Sequence, residues 1–178
     1  MLRRPSHDIM KGTILAGDGL DIEIQGGTEE DRGGLDPGAF RNRKGFFGLI
    51  VQAFCDAFCM FRYSEISWPG STPDITAYKQ TQLFQMFVQG VLDGYHMVLD
   101  EAYSLIGGDQ HLTPFSKHQL RRAQAKSHTL YCQMKTFNNI LSGQRIAIER
   151  ASCTKMRYIM APSQLSNCNQ HQDCHYMR

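Results

Sequence analysis

The sequence lacks several features that would assign a protein to a class at once. None of its six cysteines belongs to a Cys-x-x-Cys pair, so the usual zinc-finger spacings are missing. The first residues, MLRRPSHDIM, contain no apolar signal-peptide core, and no apolar run approaches the roughly 18 residues of a membrane span. We therefore expect an intracellular chain with free thiols and without a membrane span.

An excess of charge of one sign is also missing. The 19 basic and 17 acidic residues leave a net charge of +2 on 178 residues, and 42% of the residues are hydrophobic. This composition is typical of one globular domain with a core and does not by itself indicate nucleic-acid binding. Contact with DNA would depend on local basic clusters, which lie at residues 3–4, 41–44, 121–126 and 145–157.

The first half of the chain has the pattern of strands. In ILAGDGLDIEI, residues 14–24, apolar side chains alternate along one face, and Asp18 lies on that face between two glycines. A carboxylate in such a place is either satisfied by backbone amides or bound to a ligand. Two further apolar runs, 46–56 and 59–68, predict an antiparallel hairpin that turns at residues 56–58.

A helix and a short buried strand are predicted next. WPGSTPD predicts a turn in which Ser71 or Thr72 caps a helix running to about Gln89, with Asp74 in its first turn, where the helix dipole favours an acid. In GYHMVLDEAYSL, residues 94–105, three apolar residues lead directly into Asp100. We expect a buried strand that ends in acid and pairs in parallel after a crossover.

The remaining segments are predicted to be a loop and a long helix. Residues 106–116 have loop composition, and residues 117–158 contain no proline, which predicts a helix with a break or kink at Gly143. Arg145 and Glu149 would share a face of this helix, so a local ion pair is one explanation of Glu149.

Four acids stand out from their surroundings: Asp18, Asp74, Asp100 and Glu149. Several such acids on a mixed α/β scaffold favour a shared cation, because neighbouring carboxylates repel one another and Mg²⁺ or Mn²⁺ relieves that repulsion. Two such ions roughly 4 Å apart form the clamp that nucleases and polymerases use for phosphoryl transfer. The four acids therefore predict a metal-dependent nuclease or strand-transfer site.

The motifs around these acids resemble those of the DDE-type transposases of the PIF/Harbinger group and of the host nucleases derived from them. DGLDIEI is similar to the family's Asp-Gly-Thr-His strand, and VQAFCD is similar to Val-Gln-x-x-Cys-Asp. WPGSTPD resembles Trp-Pro-Gly-Ser-x-His-Asp, and VLDEAYSL resembles Gly-Asp-x-Gly-Tyr-Pro-Leu. FNNILSGQRIAIERA resembles Phe-Asn-x-x-Leu-Ser-x-x-Arg-x-x-x-Glu, so the resemblance covers about residues 14–158.

The resemblance implies an α/β fold of the ribonuclease-H-like type, a mixed sheet flanked by helices. It implies Asp18, Asp100 and Glu149 as catalytic, metal-binding acids and Asp74 as a further metal ligand. Arg145 would support the site by positioning Glu149 or by touching phosphate. The cofactor would be Mg²⁺ or Mn²⁺, the substrate DNA, and the location the nucleus.

The sequence departs from the family pattern at Asp21, Leu99 and Ala102, where the family has His, Gly and Gly. These departures leave open an alternative, a catalytically inactive, domesticated or decayed domain that acts in DNA or protein binding. A phosphatase-like hydrolase is a weaker alternative, because the chain has no Asp-x-Asp motif for it.

The resemblance also predicts how the chain is divided. We expect an N-terminal leader at residues 1–13, a truncated catalytic domain at 14–160 and a polar, disordered tail at 161–178. Because the chain starts almost at its first strand, we expect it to lack the family's N-terminal DNA-binding region, a role then left to a separate DNA-binding partner protein.

Overall fold

The computed structural model of the protein describes residues 11–25, 34 and 36–159. Residues 1–10 of the predicted leader and the whole predicted tail, 161–178, lie outside this part of the chain. The described residues form a mixed α/β fold around a five-stranded sheet.

The sheet has the strand order β3-β2-β1-β4-β5. Its strands are β1 (Thr13–Glu23), β2 (Gly48–Cys55), β3 (Phe61–Pro69), β4 (His96–Val98) and β5 (His111–Leu112). The first three strands pair antiparallel, whereas β4 pairs in parallel with both β1 and β5. The predicted mixed sheet, its hairpin and its parallel crossover are thus confirmed.

Asp56 explains why the chain reverses between β2 and β3. Its Oδ1 accepts hydrogen bonds from the backbone N–H groups of Phe58 (2.9 Å) and Met60 (3.1 Å). Its Oδ2 accepts one from Nε of Arg62 at 2.6 Å. These bonds satisfy backbone donors that the turn would otherwise leave unpaired.

The helices flank the sheet and differ from the prediction in their breaks. They are α1 (Pro37–Phe40), α2 (Asp74–Lys79), α3 (Gln82–Val88), a 3₁₀ helix (Glu101–Tyr103), α4 (Lys117–Lys126) and α5 (His128–Ile159). None of the helices in the described part of the chain is long and apolar enough to cross a membrane.

The predicted single helix up to Gln89 is wrong: α2 ends at Lys79, and Thr81 is the N-cap residue of α3. Its hydroxyl donates to the carbonyl oxygen of Tyr78 at 2.7 Å and accepts from the N–H of Phe84 at 3.1 Å. The predicted cap is also wrong: Pro73 is the N-cap residue of α2, without a side-chain cap.

Two further predictions need correction. The long helical segment breaks at Ser127, which has extended backbone angles, whereas Gly143 lies inside the continuous helix α5. The predicted loop 106–116 contains β5, because the N–H groups of Met97 and Leu99 bond to carbonyl oxygens on that segment.

Both faces of the sheet are covered. On one face α2, α3 and the 3₁₀ helix enclose the larger core cluster, which contains Phe54, Tyr78, Leu83, Phe87, Met97, Leu99 and Tyr103. On the other face α5 packs against the strands through a smaller cluster of Ala16, Cys55, Ile148 and Ala151. The part of β1 around Ala16 and Gly17 is therefore buried between the two layers of helices, whereas Glu23 at its end is exposed.

Candidate active site

The parallel pairing of β1 with β4 places Asp18, within β1, beside Asp100, which lies just beyond the carboxyl end of β4. Ala16 pairs with Val98, and each acid follows two residues later on its own segment. Asp100 is the N-cap of the 3₁₀ helix, and its Oδ1 accepts the N–H of Ala102 at 2.8 Å. The buried strand therefore ends in an acid because that acid begins the next turn beside Asp18.

The glycines on either side of Asp18 allow other groups to approach β1 closely. A Cβ on Gly17 would lie 2.3 Å from the ring of Phe54, and a Cβ on Gly19 would lie 2.0 Å from Oδ1 of Asp74. Both distances are shorter than real Cβ contacts allow. The carboxylate of Asp74, from the start of α2, thus lies directly against β1 because Gly19 has no side chain.

Asp18, Asp74 and Asp100 form one electrostatic set. Burial, then the charge of Asp100 and a smaller contribution from Asp74, raise the pKa of Asp18 to about 6. The N–H of Gly19, which donates to Oδ1 of Asp18 at 2.9 Å, opposes this shift. Burial and the charge of Asp100 likewise raise the pKa of Asp74. The cause in each case is desolvation first and repulsion between carboxylates second.

Helix α5 contributes a positively charged side chain, Arg145, to this set. The charge of Arg145 lowers the pKa of Asp18 and so partly offsets the repulsion. Nε of Arg145 is buried without a hydrogen-bond partner among the described residues. No ion pair in this part of the chain joins Arg145 to Glu149, so the local explanation of Glu149 is not observed. Glu149 itself is exposed on α5 and takes no part in the interactions of Asp18 and Asp74.

Gln52 and Tyr103 are two buried polar residues beside the acids for which the sequence predicted no role. The hydroxyl of Tyr103 donates to Oε1 of Gln52 at 2.9 Å, and neither residue is exposed to solvent. Nε2 of Gln52 has no hydrogen-bond partner among the described residues. Burial, with the charges of the three acids, raises the pKa of Tyr103. The polar Gln52 within the apolar strand LIVQAFC could have indicated a buried hydrogen bond. Its partner Tyr103 could not be predicted, because it lies 51 residues away in the chain.

Residues 18–177 match the protein-family model for the DDE superfamily endonuclease. The chain belongs to the DDE superfamily endonucleases. Comparison with curated proteins and with solved structures gave no match. The family match spans all four predicted acids and confirms the DDE resemblance, while the PIF/Harbinger subgroup stays a prediction.

A basic turn lies at the rim of the acid set of this DDE endonuclease domain. The charge of Arg43 lowers the pKa of Asp74, and Nζ of Lys44 lies 3.3 Å from Oδ2 of Asp21. Both basic side chains are exposed, so they remain accessible to an anion in solution. Among the described residues of the predicted basic clusters, Arg43, Lys44 and Arg145 interact with the acids.

The donor set of this DDE endonuclease domain fits a hard divalent cation. Its members are carboxylates, which Mg²⁺ and Mn²⁺ prefer over nitrogen or sulfur ligands. Within residues 11–25, 34 and 36–159, no three His, Cys, Asp or Glu side chains converge closely enough to enclose one ion. The acids are thus near enough to repel one another without forming a closed cage.

Proposed function

We propose that this DDE endonuclease domain is a divalent-metal-dependent DNA endonuclease or the catalytic core of a transposase. The observation that supports the proposal is the electrostatic interaction among Asp18, Asp74 and Asp100. These residues come from three separate segments, yet burial and repulsion raise the pKa of two of them. Such an arrangement destabilises the folded protein when no metal is bound. This is expected of a binding site and not of a structural contact.

The residues that would hold Mg²⁺ or Mn²⁺ are Asp18, Asp74 and Asp100. Glu149 is the remaining acid of the DDE motif, and its position on α5 leaves its role a proposal. When bound, a pair of such ions lowers the pKa of the attacking water or hydroxyl group and stabilises the leaving oxygen.

The protein's own groups would prepare the site and position the DNA. Asp18 can act as an ionised ligand above about pH 6, where its carboxyl group has lost its proton. Arg145 offsets the negative charge on Asp18. Arg43 and Lys44 are exposed at the rim and would contact the phosphate groups of DNA. Such contacts bind DNA without reading its sequence. Membership of the PIF/Harbinger subgroup, a DNA-binding partner protein and a nuclear location are further parts of this proposal.

A second candidate function is a catalytically inactive domain that acts in DNA or protein binding. It is favoured by the exposure of Glu149 and by the absence, among the described residues, of three acids close enough to enclose one ion. Under this alternative the basic turn would still bind DNA, but metal would not be required.

Nicking of supercoiled plasmid DNA separates the two candidates. The wild-type protein should convert supercoiled to open-circular plasmid with Mg²⁺ or Mn²⁺ and not with EDTA, and Asp100→Asn should abolish the conversion. Asp109→Asn is the matched control, since Asp109 is an exposed carboxylate on the loop before β5. Nicking that survives EDTA or Asp100→Asn would refute the proposed metal-dependent site, and DNA binding without nicking would support the alternative.

A further inference from the structure

The buried side-chain amide of Gln52, next to the acids, has a nitrogen without the hydrogen bond expected of a buried donor. Gln52 lies in β2, directly opposite Gly19 of β1, and is 0% exposed. Its Nε2 has no partner among the described residues. Buried donors are nearly always paired, because leaving one unpaired forfeits its hydrogen bonds to water.

The orientation of this amide is fixed from the other end. Oε1 of Gln52 accepts the hydroxyl hydrogen of Tyr103 at 2.9 Å, so the two hydrogens on Nε2 point away from Tyr103. A Cβ built on Gly19 would lie 3.3 Å from Nε2 of Gln52 and 2.0 Å from Oδ1 of Asp74. The free donor and the carboxylate oxygen therefore border the same space above Gly19, although no hydrogen bond joins them in this structure.

Tyr103 also links the amide of Gln52 to the turn that carries Asp100. It ends the 3₁₀ helix that Asp100 caps, and its backbone N–H lies 3.3 Å from the carbonyl oxygen of Asp100. The turn that presents Asp100 to the site thus also holds the glutamine that faces Asp74.

We propose that Gln52, held by Tyr103, is a positioning residue: in the metal-bound protein its Nε2 donates a hydrogen bond to Asp74 and orients this carboxylate toward the divalent cation. The inference rests on the proposed function, since it assigns Asp74 as a ligand. A hydrogen bond to one oxygen of a ligating carboxylate fixes the direction of the other, and losing such a support typically weakens metal binding about 10- to 100-fold.

The test is a titration of the melting temperature with Mn²⁺, because an ion that binds the folded state must stabilise it. The double variant Gln52→Leu/Tyr103→Phe removes donor and acceptor together, so its melting temperature in EDTA should stay close to that of the wild type. Its affinity for Mn²⁺ should fall about 10- to 100-fold. Tyr78→Phe is the matched control: Tyr78 is equally buried, but its hydroxyl contacts Met97 and His111 instead of the acids.

Each outcome decides something different. Unchanged Mn²⁺ affinity in the double variant overturns the role of Gln52 and leaves the proposed metal site standing. A wild-type protein that Mn²⁺ does not stabilise overturns the proposed function, and this inference with it. If the double variant does not fold, Tyr103→Phe alone releases the amide and must still weaken Mn²⁺ binding more than Tyr78→Phe does; equal affinities would overturn the proposal.

Discussion

Replacing Asp18 by asparagine should stabilise the metal-free protein at pH 8. Burial and the charges of Asp100 and Asp74 raise the pKa of Asp18 from its ordinary value of 3.8 to about 6. Between these values the folded state binds more protons than the unfolded state, so the free energy of unfolding falls as the pH rises through this window. At about 1.4 kcal/mol per pKa unit, ionised Asp18 costs the metal-free fold on the order of 3 kcal/mol above pH 6.

Thermal unfolding in EDTA measures this cost. Asparagine keeps the shape of the side chain and an oxygen for the N–H of Gly19, but it carries no charge to desolvate. We expect Asp18→Asn to be more stable than the wild type by about 2 kcal/mol at pH 8, which raises the melting temperature by about 4–8 °C in a chain of this length. Near pH 4.5 the gain should largely disappear, because the folded wild type is then protonated at Asp18.

The control for this prediction is Asp109→Asn, a change at an exposed carboxylate. Its effect should stay within about 0.5 kcal/mol at either pH, as is usual for surface substitutions. A lower melting temperature for Asp18→Asn at pH 8, or an equal effect at both pH values, would show that Asp18 does not ionise in a desolvated, repelling environment. The electrostatic reasoning would then be refuted.

Two further predictions concern the glycine and the basic turn at the site. Gly19→Ala should displace the carboxylate of Asp74, because the new Cβ would lie 2.0 Å from its Oδ1. Mn²⁺ should therefore no longer raise the melting temperature of this variant, and a full Mn²⁺ effect would contradict the assignment of Asp74. Arg43→Ala should weaken binding of duplex DNA and reduce the slope of log affinity against log salt by about one, measured by fluorescence anisotropy across a KCl series. An unchanged slope would place the DNA elsewhere.

The alternation of apolar residues was sufficient to predict the strands that carry the site. Period two along 14–24 predicted β1 with Asp18 on it, and the apolar run before Asp100 predicted β4 and its parallel pairing. These signals are local and strong because both strands are central to the sheet. Together with the motif order they predicted the fold class and the DDE family, which the match over 18–177 confirms.

The breaks between helices could not be predicted from local pattern. Thr81 is compatible with a helix interior, but here its hydroxyl bonds to the carbonyl oxygen of Tyr78 and caps α3. Gly143 was expected to break the second helix, but a glycine in a helix costs only about 1 kcal/mol. Helix α5 continues through Gly143 and packs Ile148 against the sheet.

The residues that surround and position the acids likewise could not be predicted from the sequence. Asp74 was explicable by the helix dipole alone, and only the fold reveals that its carboxylate occupies the space above Gly19. Gln52 and Tyr103 are far apart in the chain and meet only because β2 and the 3₁₀ helix pack together. The catalytic role of Glu149 rests on the motif and stays a prediction.

The most direct test of the proposed metal site is the anomalous diffraction of a crystal grown with Mn²⁺ at about pH 8. At this pH Asp18 is ionised, since its pKa is about 6. We predict an anomalous peak at coordination distance from Asp100 and from at least one of Asp18 and Asp74. A map without a peak between these carboxylates, or with Mn²⁺ bound only elsewhere on the protein, would contradict this prediction.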